Sequence, residues 1–174
     1  KQDDSDDEQE PEPDSKVQRK YAHDASFVQV GWEKDGGSGQ RIPIYINETV
    51  SDIEKYLIDK LHEDGFRGSE ARQFVAQCAH ETAYFKALEE YADGDQYEDK
   101  HGNTETGDGE RYKGRGYVML TGRANYETYG NLINVALIEN PEKASEKETA
   151  YKIAKAFWER EVQPPLQSSG NGFC

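Results

Sequence analysis

The chain has 174 residues, enough for one domain with a real core and hardly for two. Its 35 acidic and 21 basic residues give a formal charge of −14; with no clustered Lys and Arg, such a chain is a poor partner for nucleic acid or for an anionic membrane surface. No apolar run approaches the roughly eighteen residues that a membrane helix needs.

The first fifteen residues, KQDDSDDEQEPEPDS, hold eight carboxylates and one lysine, so half of the net charge sits there. They lack aromatic and β-branched side chains and cannot bury enough surface to offset the entropy of ordering. Residues 1–15 are therefore expected to be a disordered acidic tail, and 16–174 a single domain. Between Ser26 and Ile46 two β-type runs, FVQVGW and RIPIYI, flank KDGGSGQ, which predicts a hairpin with Pro43 on an edge strand. Ile53, Tyr56, Leu57 and Leu61 then recur at helical spacing over Ser51–His62, stopped near Gly65. In the next helix Ala71, Phe74, Val75, Cys78, Ala79 and Thr82 form a core-facing stripe, with Ser69 able to cap it. From Ala92 to Lys113 the chain is rich in Gly and Asp and shows no apolar periodicity; a loop of that length is usually functional or disordered. A short apolar run, Tyr117–Thr121, precedes a helix predicted from Asn125 through Leu132. A last helix is predicted behind the capping box Ser145-x-x-Glu148, presenting Ala150, Ile153, Ala154, Phe157 and Trp158.

Cys78 and Cys174 allow at most one internal bridge, but Cys78 lies in an apolar helical pattern that favours a buried free thiol. The start at Lys1 without an initiator methionine and the triplet Asn47-Glu48-Thr49 lead to an expectation of secretion.

The chemistry concentrates around His80-Glu81-Thr82. Glu81 stands one step off the Phe74/Cys78 stripe, at the border where a side chain reaches solvent while its helix stays packed. Cleavage of an acetal needs an acid to protonate the leaving oxygen; an inverting mechanism adds a second carboxylate, roughly 6.5–9.5 Å away, that activates water on the opposite face. Glu89, Glu90, Asp93 and Asp95 follow within fifteen residues. On one straight helix Glu81 and Glu90 would lie about 13.5 Å and about 180° apart, so shared chemistry requires the chain to turn between Phe85 and Glu90. Asp93, Asp95 and Asp99 lack the spacing of an EF-hand loop, and no metal is expected.

The segments AQCAHETAYFKALEE, GNTETGDGERYKGRGYVMLTGRANY and NPEKAS…AYKIAKAFW resemble glycoside hydrolase family 19, the chitinases and phage-type endolysins, in order and approximate spacing from about residue 70 to 160. The resemblance implies a mainly helical, lysozyme-like α+β fold of two lobes, carrying here a small N-terminal β-hairpin. It implies inverting hydrolysis of a β-1,4-linked N-acetylglucosamine polymer, chitin or peptidoglycan, by a monomer without metal or cofactor. By the same resemblance Glu81 is the general acid, Glu90 the general base, and Thr121 the hydroxyl that helps hold the attacking water. Asn125 and Tyr126 match cleft residues, and His80 flanks the acid. Arg115, within Gly114–Gly116, can bond a catalytic carboxylate, and Tyr112 and Tyr117 are further candidates for stacking on sugar rings, against the alternative that they pack a core edge.

Two departures stand out. Met119 replaces the glutamine of the family's QLTG segment, and after FWER only EVQPPLQSSGNGFC remains, shorter than the family's C-terminal segment. They keep a second reading open, a catalytically weak or inactive sugar-binding protein on the same scaffold. A third is an acidic matrix protein with a cation-binding tail.

Overall fold

The computed structural model describes residues 19–20 and 27–163. The segment 1–15 and Cys174 lie outside the described residues.

Three strands form an antiparallel sheet in the order β1-β3-β2: β1 (Arg19–Lys20), β2 (Phe27–Lys34) and β3 (Arg41–Thr49). The β2–β3 hairpin follows the two apolar runs. Pro43, however, lies on the middle strand rather than an edge. It faces Trp32 of β2 there, and among the described residues β1 pairs with Ile44 and Tyr45 and not with the proline, which has no N–H to give.

Helix α1 (Val50–Glu63) starts at a capping box: Asp52 N donates to Thr49 Oγ1 (3.2 Å) and Thr49 N to Asp52 Oδ2 (2.9 Å). Its buried face is Ile53, Leu57 and Leu61, the spacing read from the sequence. Helix α2 (Gly68–Glu81) buries Ala71, Phe74 and Cys78. Its N-cap is Arg67, with no side-chain cap bond, so Ser69 lies inside the helix rather than capping it. Helices α4 (Arg123–Ile133) and α5 (Lys147–Phe157) follow a four-residue α3 (Asp108–Arg111), and α5 runs on into a π-helical turn, Trp158–Val162. The predicted Ser145 cap is not formed. Glu146 stands at the cap of α5, and Ser145 Oγ donates instead to the buried carbonyl of Leu88 (3.0 Å).

Two hydrophobic clusters give the molecule two lobes. One gathers Ile53, Leu57, Phe74, Cys78, Leu88, Tyr117 and Trp158, with Phe74 stacked on Trp158 at 4.7 Å. The other gathers Tyr112, Leu120, Tyr126, Leu137 and Ile153. Helix α5 feeds both, Ala150 and Ala154 to the first and Ile153 to the second. Each large apolar side chain fully buried this way is worth roughly 1.5–3 kcal/mol, so α5 holds the lobes together.

The Gly/Asp-rich stretch is ordered by its own carboxylates rather than by apolar packing. Glu98 Oε1 accepts from Gly107 N (3.0 Å) and Gly109 N (3.3 Å). Asp108, 2% exposed, accepts from Thr104 N and Glu105 N and pairs with Arg123. No helix among the described residues is long and apolar enough to cross a membrane.

Candidate active site

Glu81 is the last residue of α2, half-buried, and its Oε1 accepts a hydrogen bond from Gln77 Nε2 one turn back (3.2 Å). The chain reverses immediately after it. Ala83, Tyr84 and Phe85 all adopt positive φ, 50°, 59° and 64°, a conformation that costs L-residues roughly 1–2 kcal/mol each. The reversal therefore comes earlier than the predicted Phe85–Glu90 window. Thr82, fully buried, holds it: its hydroxyl donates to Cys78 O (2.6 Å) and accepts from Phe85 N (2.9 Å). The buried Phe85 ring meets Tyr117 edge-on and anchors the far side of the turn.

Beyond the turn, residues 86–90 run as a short extended segment, and its two glutamates have opposite fates. Glu89, 4% exposed, bonds Lys113 Nζ and Arg115 Nε, both at 2.8 Å. Each of its oxygens is held by a buried cation and the side chain is shut off from solvent, so it serves the packing of the segment rather than a substrate. Glu90 faces the other way. Its Oε2 accepts from Gly114 N (3.0 Å) and Tyr97 Oη (3.2 Å). Its Oε1 is buried and has no hydrogen-bond partner among the described residues.

Gly114 brings Thr121 to this carboxylate. A Cβ on Gly114 would sit 2.6 Å from Glu90 Oε2 and 3.3 Å from Thr121 Oγ1, so both groups crowd one point that only glycine leaves open. The Thr121 hydroxyl donates its proton to Met119 O (2.8 Å), which leaves its lone pairs to accept. Asn125 Nδ2 donates to Thr121 O (2.8 Å). Thr121 and Asn125 line a cleft of about 490 Å³, together with His101, Met119, Tyr129 and Phe157. A cavity of about 510 Å³, floored by Val30 and Ile46 between acidic side chains, lies elsewhere and includes none of these groups.

Residues 62–170 match the model of glycoside hydrolase family 19, described as chitinase class I. The chain belongs to this family. It is 31% identical over 100 residues to a basic endochitinase of Brassica napus, covering 56% of this chain and 37% of that one. It is 35% identical over 94 residues to an acidic endochitinase of Beta vulgaris, covering 51% and 33%. The chain thus spans about a third of the length of these curated relatives. Among solved structures, chitinase C of Streptomyces griseus aligns with a TM-score of 0.51 at 25% identity, covering 61% of this chain and 57% of that one. The fold is shared as well by a class IV chitinase of Zea mays (TM-score 0.50, 21% identity, 67% and 61% covered).

Against this family background the candidate residues divide. Glu90, Thr121 and Asn125 are brought together. Glu81 ends the helix before the turn and shares no hydrogen bond with them, and His80 beside it is exposed. Three tyrosines are removed from the list of sugar-binding residues because each is 0% exposed. Tyr112 packs on Tyr126 and donates to Ile138 O; Tyr117 donates to Ile53 O; Tyr126 donates to Lys113 O and accepts from Arg115 Nη1. Burial pushes the phenols of Tyr117 and Tyr126 up, keeping them neutral donors. Arg115 is likewise buried, at 7% exposure, and the carboxylate it holds is Glu89, so it too is withdrawn as a substrate contact. Asp93 accepts from Asp95 N (3.2 Å), and among the described residues no three His, Cys, Asp or Glu side chains gather closely enough to hold a metal ion. Sequence reasoning missed Tyr97 and the turn-holding role of Thr82. Nothing in the loop composition marked the first, whereas a threonine directly after a motif glutamate was a usable signal for the second.

Proposed function

We propose that this protein hydrolyses β-1,4 glycosidic bonds in an N-acetylglucosamine polymer, chitin before peptidoglycan, with inversion at the anomeric carbon. The observation that carries the reading is Glu90. A buried carboxylate oxygen without a partner is unfavourable unless something outside the protein donates to it. We take a water donating to Glu90 Oε1 as that partner and as the nucleophile; the Thr121 hydroxyl, which crowds the same point beside Gly114 as Glu90 Oε2, is the second group to hold it. Glu81, on the other side of the reversal, protonates the leaving oxygen as the C–O bond breaks; the water forms the new bond and loses its proton to Glu90. The named relatives are endochitinases, and an acidic chain gains nothing electrostatically on an anionic wall, which favours chitin.

The test is proton NMR of the first product formed from chitin oligomers, with purified cell walls as the parallel substrate. A β-linked substrate is expected to give the α-anomer, and Glu90→Gln to lose the activity. A β-anomer formed first points instead to retention and overturns the roles of Glu90 and Thr121. Binding of oligomers without turnover by the unaltered chain favours the sugar-binding reading.

A further inference from the structure

We infer that the β2–β3 hairpin is a positioning element of the active site, with Trp32 and Arg41 clamping the peptide that carries Glu90. This rests on the reading of Glu90 as the general base. The hairpin lies outside residues 62–170, which carry the family match, yet it runs along the catalytic segment from end to end. Gln29 N donates to Lys86 O (3.0 Å) and Leu88 N to Gln29 O (2.8 Å), adding β2 as a parallel neighbour. Trp32 Nε1 donates to the carbonyl of Glu90 itself (3.1 Å). Arg41 Nη1 and Nη2 donate to the next two carbonyls, of Tyr91 (2.8 Å) and Ala92 (3.3 Å). Its guanidinium lies over the Trp32 ring, 4.5 Å from the centroid, and Tyr91 meets that ring edge-on at 6.3 Å.

The two peptide groups around Glu90 are thus pinned from opposite sides. Its N–H donates to Gly114 O (2.9 Å), within the family-matched part, and its carbonyl is held by the hairpin. Together they set the direction of the Cα–Cβ bond and hence where Oε1 points. The clamp has a specific task. The segment leaves a turn of three residues in the left-handed region, and relaxation of that turn would rotate the strand that follows. A catalytic group needs its geometry held within about 0.5 Å and 10–20°, and a displacement of about 1 Å lowers a rate up to about 10²-fold. Trp32 and Arg41 touch the backbone around Glu90 and none of its carboxylate atoms, so they act through it as positioning residues.

The variants are Trp32→Phe, which removes the N–H but keeps most of the ring, and Arg41→Lys, which keeps the charge but not the two-pronged bond. Each is made in the wild-type and in the Glu90→Gln chain and assayed on chitin oligomers, with circular dichroism and melting recorded. Each is expected to lower kcat about tenfold with KM within about twofold, and to leave the residual rate of Glu90→Gln unchanged, because a base already lost cannot be misplaced. An equal fall in both backgrounds, a change confined to KM, or no change overturns the clamp while leaving Glu90 as the base. Full activity in Glu90→Gln alone overturns the base assignment itself. If Trp32→Phe lowers the melting temperature by more than a few degrees, Arg41→Lys, which disturbs no buried ring, decides on the same criteria.

Discussion

Replacing Asp108 by Asn should loosen the loop that steadies the candidate base. Asp108 Oδ2 accepts from Thr104 N and Glu105 N, both at 3.0 Å, and from Arg123 Nε at 2.8 Å, while Oδ1 accepts from Arg123 Nη2 at 2.7 Å. The bonds from Arg123 dominate; with those from the Glu105 and Thr104 backbone they outweigh burial and hold the carboxyl down to about 2, from 3.8. At about 1.4 kcal/mol per pKa unit the shift corresponds to about 2.5 kcal/mol. Because the Arg123 side chain keeps 23% exposure and also meets the exposed Glu105, solvent screening reduces this to about 1–2 kcal/mol. An Asn has one acceptor oxygen and cannot keep the two-pronged pair, so the loss at pH 7 should be about 1–2 kcal/mol, or roughly 2–8 °C in melting temperature for a domain of this size. The pH dependence has a definite sign. A carboxyl whose folded pKa lies below its unfolded value stabilises the fold only while ionised, so its contribution is complete above about pH 5 and is lost as pH falls through 3.8 towards about 2. Melting of both proteins across pH 2.5–7 should show a gap that is constant above about pH 5 and closes below it. Activity should fall too, since Asn103, which accepts from Arg123 N, holds the carbonyl of Tyr97, the residue whose hydroxyl donates to Glu90. A gap of the same size at pH 2.5 as at pH 6 would refute the reasoning.

Glu81→Gln should lower hydrolysis by about 10²–10⁴-fold, the usual contribution of a general acid, with little change in melting because among the described residues its side chain has a single hydrogen bond, from Gln77; near-normal turnover would remove Glu81 from the mechanism. Glu89→Ala leaves Lys113 and Arg115 buried without their counter-charge and should cost about 3–5 kcal/mol in urea unfolding; a loss under about 1 kcal/mol would mean that the network is not holding the segment. Cys78, whose thiol burial pushes up to about 12, should stay unlabelled by a disulfide reagent at pH 8 in a Cys174→Ser chain until the protein is unfolded. Rapid labelling of the native protein would contradict its placement in the core.

The sequence alone determined what depends on near neighbours along the chain. Helical spacing placed Ile53, Leu57 and Leu61 and then Phe74 and Cys78 on buried faces, because a period of 3.6 puts such residues on one side whatever packs against them. It put Glu81 at the edge of the α2 stripe, and the glycines around Arg115 announced a close backbone approach, which Gly114 makes to Glu90 and Thr121. The tertiary structure decided the rest. Non-glycine residues disfavour the left-handed region, so nothing local foretold a reversal at Ala83–Phe85; it exists because Thr82 and Phe85 find partners in the core that offset its strain. Glu89 and Glu90 are chemically alike, and only the neighbours on the two sides of the segment, Lys113 and Arg115 against Gly114 and Tyr97, make one a structural ion and the other a candidate base. The same holds for the tyrosines, whose rings suit a sugar or a core equally well until packing buries them. Trp32 meets the carbonyl of Glu90 across 58 residues of chain, a contact that no local pattern encodes because burial and long-range hydrogen bonds belong to the spatial neighbourhood, not to the order of residues.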